Sequence, residues 1–269
     1  MTKISGFIIT YNEEKRIAKA INSLQNVVDE IIVIDSDSND RTTQIAKDLG
    51  VKVVNNKWEG YVKQKIYGEN LCKHDWIINI DADEELSESL QDEINYIFKS
   101  SIQDRYIAYK VRCLILHRLD KSPRAFAPYT ECIRLYNKNF AKFANNKDVF
   151  STRDSVILNS EIESNGKIYL LNEPVYHRSA LSAWQLVDKA NLYTNEQAMD
   201  IINSKSIPSP FRIALEMPVT FIKAFFIRRY FVFGFNGFID SVIFAFSRFL
   251  RLAKARELKI MQDNKQEQR

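Results

Sequence analysis

The sequence contains few cysteines and no internal repeat or low-complexity segment. Its 269 residues include three cysteines, Cys72, Cys113 and Cys132. Their odd number and their lack of metal-ligand spacing indicate reduced thiols. The N-terminus lacks a basic region followed by a long apolar stretch, so we expect no signal peptide. The length suits one domain of roughly 200 residues with a C-terminal extension.

The most informative segment reads WIINIDADE at residues 76–84. Its apolar first half predicts a short buried strand, so Asp81 and Asp83 would lie at the carboxyl end, where open α/β sheets bind their ligands. Two carboxylates there can hold Mg²⁺ or Mn²⁺, which typically completes its shell with water and phosphate oxygens. The pair therefore suggests a metal-bound diphosphate. The alternative is that the aspartates only cap the next helix.

The N-terminal half repeats one pattern of apolar strand, polar turn and helix. Strands are predicted at residues 4–9, 30–35, 51–54 and 76–81, and helices at residues 41–49 and 62–71. Alternating strands and helices with near-continuous apolar strands imply a parallel sheet that is covered on both faces. Its carboxyl edge would bring together the polar residues Tyr11, Asn12, Asp35, Asp37, Asp81 and Asp83.

Four motifs follow one another in a fixed order along the chain. They are TYNEE at residues 10–14, DSDSNDRT at 35–42, WEGY at 58–61 with Gln64 and Lys65, and DADE at 81–84. In this order they resemble the motifs of the family 2 glycosyltransferases, most closely the bacterial branch that adds hexose to the lipopolysaccharide inner core. The resemblance is clear over residues 1–100 and extends more weakly to residue 255.

The resemblance implies a GT-A fold, an α/β architecture in which a Rossmann-like mixed sheet is flanked by helices. It also implies a nucleotide-diphosphate sugar donor, Mg²⁺ or Mn²⁺ as the cofactor, and inversion at the anomeric carbon. UDP-glucose or another UDP-hexose is the expected donor, and a lipid-linked glycan or the lipopolysaccharide core is the expected acceptor. We expect no nucleic-acid partner.

By the same resemblance, the nucleotide-sugar site comprises Thr10, Tyr11, Asn12, Glu13, Asp35, Asp37, Lys65, Asp81, Ala82 and Asp83. Tyr11 would offer a ring face to the base, Asp35 an acceptor, and Lys65 a second cation. Asp83 would bind the metal, and Asp81 the ribose or the metal. Simpler roles stay open: Asn12 as an N-cap, Asp35 and Asp40 as turn and cap residues, and Lys65 as a charge on a solvated helix face.

His177 matches a histidine that follows the last core strand in relatives. It would complete the metal site with Asp81 and Asp83, or bind the diphosphate. The alternative is a purely structural histidine.

An inverting transfer needs a base, because a sugar hydroxyl must lose its proton as the new bond forms. Relatives often carry Val-His-Glu after an Arg-Leu-Phe strand, whereas this chain has Arg134-Leu135-Tyr136 and then STRD at residues 151–154. Asp154 is the first candidate for the base and Glu131 the second, with Asp148 as a further alternative. Another departure is Asp37, which stands where the branch usually has glycine.

The modest net charge of +4 is unevenly placed. Between Lys223 and Arg256 there are seven basic residues against one acidic, with nine phenylalanines among them. The longest charge-free run, residues 230–239, is too short for the roughly 20 residues that span a bilayer. Helices lying in the headgroup region of the cytoplasmic membrane are therefore expected. The alternative is a helical pair that packs on the catalytic domain or on a second subunit of a homo-oligomer.

The predicted organisation is a GT-A catalytic domain at residues 1–205, with a nucleotide-sugar half at 1–100 and an acceptor half at 101–205. A helical extension at 206–260 and a disordered tail at 261–269 follow. We expect a cytoplasmic enzyme that is peripheral on the inner face of the membrane. Two other classes stay open: a non-catalytic scaffold that binds a sugar nucleotide or lipid, and a receiver-like phosphoacceptor module.

Overall fold

The computed structural model describes residues 2–144, 156–158, 167–203 and 208–267. Short 3₁₀ turns lie at Ile102–Arg105 and Tyr230–Phe233, and a π-helical turn at Lys223–Ile227. The strands and the longer helices are, in chain order, β1 (Ile4–Thr10), α1 (Ile17–Gln25), β2 (Glu30–Asp35), α2 (Thr42–Asp48), β3 (Lys52–Asn55), α3 (Tyr61–Leu71), β4 (Trp76–Asp81), β5 (Glu84–Leu86), α4 (Glu88–Lys99), β6 (Ala108–Ile115), β7 (Tyr129–Asn137), β8 (Ala141–Phe143), β9 (Val156–Leu158), β10 (Ile168–His177), α5 (Ala183–Asn203), α6 (Pro210–Ile222) and α7 (Phe235–Glu267).

Eight strands form a mixed sheet in the order β3-β2-β1-β4-β7-β6-β10-β5. The first four in this order are parallel to one another, as the sequence predicts. β1 lies between β2 and β4, so the chain crosses over in opposite directions on either side of it. Such a switch point opens a crevice at the carboxyl ends of the strands. The mixed sheet with flanking helices confirms the predicted α/β GT-A-type fold.

The other half of the sheet is built from strands that reverse direction. β7 runs antiparallel to both β4 and β6, whereas β10 is parallel to β6 and antiparallel to β5. β5 is three residues long and pairs His177 with Glu84. This pairing brings the end of β10 back to the segment that follows β4.

Alternation along each strand gives the sheet two hydrophobic faces. In β1, Ile4 and Ile8 belong to one core cluster with residues of α1 and α4, while Phe7 and Ile9 belong to another cluster on the opposite face. Every residue of β1 is buried, which explains its near-continuous apolar sequence. Burial of both faces fixes the register, because a shift by one residue would exchange the two faces.

The chain forms two compact units. The sheet unit comprises Met1–Ile115 and Tyr129–Arg178, and the helical unit comprises Leu116–Pro128 and Ser179–Arg269. The predicted catalytic domain, residues 1–205, includes the whole sheet unit and stays a prediction as a functional boundary. No helix within the described residues combines the length and the hydropathy that crossing a membrane requires.

The last helix extends further than the sequence predicts. α7 continues to Glu267, into the segment 261–269 that is expected to be disordered. The sequence there is rich in residues that lose little side-chain freedom in a helix, such as Lys, Glu, Gln and Met. An ion pair between Lys259 and Asp263, one turn apart, adds to helix stability.

We expect Gly237→Ala to destabilise the helical unit. A Cβ on Gly237 would lie 1.8 Å from the carbonyl oxygen of Tyr230, so the 3₁₀ turn or α7 must move. Overpacking of this kind costs about 1–3 kcal/mol, more than the roughly 1 kcal/mol that Gly→Ala gains inside a helix. Thermal unfolding should show a lower midpoint for Gly237→Ala than for Asn236→Ala, the control one residue away. Equal midpoints would contradict the close contact.

Candidate active site at the carboxyl edge of the parallel strands

The loops after β1 and β2 are joined by hydrogen bonds between main chain and side chains. The amide of Asn12 donates to Ser38 Oγ at 2.8 Å, and Asn12 Oδ1 accepts from the amide of Asn39 at 2.9 Å. The amide of Glu13 donates to Thr42 Oγ1 at 2.7 Å. Asn12 has a positive φ of 54°, a conformation that asparagine tolerates better than most residues. These contacts hold the two loops at the sheet edge as one structure.

Asp35 is the last residue of β2. One oxygen of its carboxylate accepts a hydrogen bond, and the other has no partner among the described residues. Oδ2 accepts from the amide of Ser38 at 2.9 Å, whereas Oδ1 is buried and has no hydrogen-bond partner among the described residues. Thr10 Oγ1, at the end of β1, is likewise buried without a partner within the part of the chain that the structure describes. An unmet buried acceptor costs free energy unless a ligand supplies a donor.

A cavity of about 390 Å³ opens beside Asp35. Asp37 contributes to its wall, with an exposed carboxylate that accepts from Asn55 Nδ2 at 2.7 Å. Asp37 has a φ of 61°, in the left-handed region that favours glycine. The cavity is lined by Asp35, Asp37, Ser38, Thr43, Lys47, Val53 and Asn55.

Lys65, Arg134 and Glu84 are buried and form an ionic network with Asp81, whose side chain is 31% exposed. Lys65 has no solvent exposure, and its Nζ lies 2.9 Å from Asp81 Oδ1. Arg134 contacts Asp81 at 3.2 Å and Glu84 at 2.5 Å. Burial raises the pKa of the Asp81 carboxyl, but the charges of Lys65 and Arg134 outweigh it and lower that pKa overall. Burial raises the pKa of Glu84.

Asp83 lies between two cationic side chains. His177 Nε2 is 3.5 Å from Asp83 Oδ2, and the Arg16 guanidinium is 3.9 Å from the same oxygen. Burial disfavours the charged imidazole, but the carboxylates, Asp83 foremost, raise the pKa of His177 to about 9. The amide of Arg178 donates to the carbonyl of Asp83 at 3.0 Å, and Arg16 donates to the carbonyl of Arg178 at 2.7 Å.

The residues around Asp83 fit a hard divalent cation by their chemistry. Carboxylate oxygens are the ligands that Mg²⁺ and Mn²⁺ prefer, and Asp83 supplies such oxygens directly after β4. Within the described residues, no group of three or more His, Cys, Asp or Glu side chains forms a protein-only metal cage. Mg²⁺ usually has few protein ligands and takes the others from water and phosphate.

The structure distributes the other predicted residues as follows. The ring of Tyr11 is exposed, Ala82 is buried, and Glu13 is paired with Arg16. Glu131 is half-exposed on β7, 3.8 Å from Arg112. Asp154 and Asp148 lie outside the described residues. The roles assigned to all these residues, and to Asp81, Asp83 and His177 as a metal site, stay predictions.

Two of the simpler alternatives are wrong. Lys65 is not a charge on a solvated helix face, since it is fully buried on α3. Asn12 does not cap α1, which begins at Ile17. Asp40, by contrast, is a turn residue, because its carboxylate accepts from the amides of Thr42 and Glu14.

Sequence reasoning missed three side chains of this region. Arg16 was not singled out, although the spacing of Glu13 and Arg16 is a charge pattern typical of a helix start. Glu84 and Gln64 lie inside the motifs but received no role. The buried Gln64 links Ser36 and Asn56 through its side-chain amide. No local pattern marks these last two, because their partners are distant in sequence.

Comparison with known proteins identifies the family. The sequence model of Glycosyl transferase family 2 matches residues 5–141. A glycosyltransferase of Rickettsia felis is 60% identical over 257 residues, which cover 96% of this chain and 90% of that protein. The lipopolysaccharide core biosynthesis glycosyltransferase LpsC of Rhizobium meliloti is 26% identical over 256 residues, covering 93% and 91%. The chain belongs to glycosyl transferase family 2 and is a glycosyltransferase.

Solved structures give more distant likenesses. Residues 1–349 of S. aureus TarS are 14% identical with a TM-score of 0.43, and the match covers 91% of this chain and 90% of that one. Glucosyl-3-phosphoglycerate synthase from Mycobacterium tuberculosis, in complex with Mn²⁺, UDP and glucosyl-3-phosphoglycerate, is 17% identical with a TM-score of 0.45, covering 66% and 73%. The ligands in that complex belong to that protein.

We expect the stability of the metal-free protein to fall with rising pH through the titration of His177. Its pKa is about 9 in the folded chain against an ordinary value of 6.5. A raised pKa stabilises the fold fully below the ordinary value, and this stabilisation is lost as the pH rises towards the folded value. Thermal midpoints measured in EDTA between these pH values should fall more for the natural chain than for His177→Gln. Parallel pH profiles would contradict the ion pair with Asp83.

Proposed function

We propose that this glycosyltransferase moves a hexose from a UDP-hexose, UDP-glucose foremost, to a lipid-linked glycan or to the lipopolysaccharide core, with inversion. The observation that carries the proposal is the acidic side chains at the carboxyl ends of two parallel strands of one sheet: Asp35 ends β2 and lines a cavity, and Asp81 ends β4 with Asp83 directly after it. The likeness to LpsC supports a lipopolysaccharide acceptor.

Donor binding uses acceptors at the ends of β1 and β2. Asp35 Oδ1 accepts an N–H of the base or a ribose hydroxyl, and Thr10 Oγ1 forms a further hydrogen bond. Both atoms are buried without partners within the described chain, so each gains a bond without losing one. The exposed ring of Tyr11 stacks on the base.

Asp83 would hold Mg²⁺ or Mn²⁺, with Asp81 and His177 as additional ligands directly or through water. The bound ion would supply positive charge against the negative charge that develops on the leaving diphosphate. Arg16, which lies 3.9 Å from Asp83, adds a fixed positive charge at the same place. Lys65 and Arg134 contribute indirectly, because their ion pairs with Asp81 keep its carboxylate ionised and in place.

A carboxylate removes the proton of the acceptor hydroxyl as the bond to the anomeric carbon forms. Asp154 is the first candidate and Glu131 the second. Glu131 is half-exposed and paired only loosely with Arg112, so its carboxylate is accessible to an acceptor. A lipid-linked acceptor also implies that the enzyme works as a peripheral protein on the inner face of the cytoplasmic membrane.

The decisive experiment measures donor hydrolysis with a panel of UDP-, GDP- and TDP-hexoses, with Mn²⁺ or with EDTA. We expect metal-dependent hydrolysis that is fastest with UDP-hexoses. Asp83→Ala should lose at least about a hundredfold of this rate, since a metal contributes several kcal/mol to transition-state stabilisation. Asp92→Ala, which removes an exposed carboxylate of α4, is the control. A fully active Asp83→Ala enzyme would contradict the assignment of Asp83 as the metal ligand. If the natural chain binds UDP-hexoses but does not hydrolyse them, the scaffold alternative is favoured.

The two candidates for the base are separable by isosteric amides. We expect Asp154→Asn to bind UDP normally and to lose a factor of about 10² to 10⁴ in transfer, the usual contribution of a positioned base. Glu131→Gln should retain most of the activity. Calorimetric binding of UDP and a transfer assay on purified lipopolysaccharide acceptor would measure the two effects. The reverse result would assign the base to Glu131.

A further inference from the structure

The solvent-facing side of α6 carries almost no polar residue. Phe211, Leu215, Val219 and Ile222 of α6, with Phe226 of the π-helical turn that follows, are spaced three or four residues apart and form one exposed stripe, in which Phe211 is 74% and Phe226 59% exposed. A surface helix normally places polar side chains on this side. We call these five residues the α6 stripe.

The opposite side of α6 already packs against α7. The ring of Phe221 meets that of Phe238 at 5.3 Å, and Thr220 and Ala224 are buried. The α6 stripe is therefore not needed for the core of the helical unit. An exposed apolar patch rimmed by polar residues marks an interaction site.

A second set of exposed apolar residues is connected to the α6 stripe. Phe225, next to Phe226, contacts Phe231 in the 3₁₀ turn at 6.4 Å, and the stretch continues to Phe235, which is 77% exposed. Arg124 then ties the loop Leu116–Pro128 to this turn, because it donates to the carbonyl of Val232 and lies over the ring of Phe233.

The loop Leu116–Pro128 presents its own apolar side chain to solvent. Phe126 is 78% exposed with a φ of 62°, a conformation that is an outlier for a bulky residue. Arg118 anchors the loop by two hydrogen bonds to Asp240 of α7, at 2.6 and 2.8 Å. The fold thus holds a phenylalanine in water at a conformational cost.

The charges around these residues indicate an anionic partner. Residues 116–128 and 208–235 contain seven basic side chains and two acidic ones. Both acidic side chains are paired, Asp120 with Arg124 and Glu216 with Arg251, and Arg118 is paired with Asp240 of α7, so five of the seven basic side chains lie outside these ion pairs. A second copy of the chain in a two-fold dimer would bring this positive surface against itself. An anionic lipid leaflet supplies both the apolar layer and the negative charge.

Two cations of α7, Arg251 and Lys254, have partners within the helical unit. Lys254 is surrounded by oxygens of Asn191, Thr194 and Asn195 on α5, and Arg251 contacts Glu216. Arg212 and Lys223, by contrast, are exposed beside the α6 stripe. We therefore expect lipid phosphates to contact the cations of α6 and of the turns after it. Arg251 and Lys254, near the end of the basic stretch 223–256, are engaged within the protein.

We propose that the α6 stripe, the 3₁₀ turn with Phe235, and Phe126 form a docking surface that inserts into the headgroup region of an anionic phospholipid leaflet. α6 lies in the plane of the membrane, since no described helix is long and apolar enough to cross it. This inference specifies the surface by which the enzyme would contact the membrane. It rests on the proposed function, because the lipid-linked acceptor is part of that proposal.

The test is co-sedimentation of the full-length protein with vesicles of phosphatidylcholine alone or mixed with phosphatidylglycerol. We expect strong binding only to the anionic vesicles. Phe226→Ser with Phe235→Ser should lower the partition constant about tenfold per residue, because each ring loses apolar burial. Lys223→Gln with Arg212→Gln should lower it about fivefold per charge and reduce its salt dependence. Tyr96→Ser, an equally exposed aromatic of α4 in the sheet unit, is the matched control and should bind as the natural chain does.

Metal-dependent UDP-hexose hydrolysis by each variant separates this inference from the proposed function. Unchanged hydrolysis with lost vesicle binding supports the docking surface. Absence of vesicle binding by the natural chain, or equal binding by the phenylalanine variant, overturns it even if hydrolysis is normal. Gel filtration provides the last arm: a natural dimer that the phenylalanine variant converts to a monomer, with vesicle binding unchanged, would assign the surface to a second copy and overturn the proposal.

Discussion

The ammonium group of Lys65 has no contact with solvent and lies 2.9 Å from a carboxylate oxygen of Asp81. A buried charge without its partner typically costs about 3–5 kcal/mol, so Asp81 must stay ionised for the fold to hold Lys65. Arg134 extends the constraint from Asp81 to Glu84. α3, β4, β5 and β7 are therefore held together at the acidic segment by charge. Asp81 and Glu84, which flank Asp83 in sequence, are both held by this network. The position of the Asp83 backbone therefore depends on charge pairs in the interior of the protein.

Local patterns were sufficient to predict the N-terminal half of the fold. The strands expected at residues 30–35 and 76–81 coincide with β2 and β4, and the helix expected at 41–49 contains α2 (Thr42–Asp48). Apolar runs between polar turns carry this information because each element is defined within a few residues. The position of β7 between β4 and β6 was not predictable in this way. It depends on pairing between strands about 50 residues apart, for which the sequence has no local mark.

The candidate site shows the same division. Asp35, Asp81 and Asp83 were predictable because the carboxyl ends of parallel strands share one edge. The burial of Lys65 was not, since the spacing of α3 gives no indication that a charged residue faces the sheet. The position of His177 next to Asp83 depends on the short pairing of β5 with β10, which joins segments more than 90 residues apart. Pairwise charge compensation of this kind is visible only once the fold is known.

The antiparallel insertion of β7 also has a consequence for synthesis on the ribosome. β1 covers one edge of β4 as soon as both have emerged, but the other edge waits for β7, whose first residue follows the end of β4 by about 50 residues. At translation rates of about 5–20 residues per second, that edge stays unpaired for roughly 2–10 s. An open apolar strand edge is a template for association with other chains. The nascent chain thus has an unpaired edge on the strand that leads into the acidic motif, and slower translation of residues 82–128 would keep that edge open for longer.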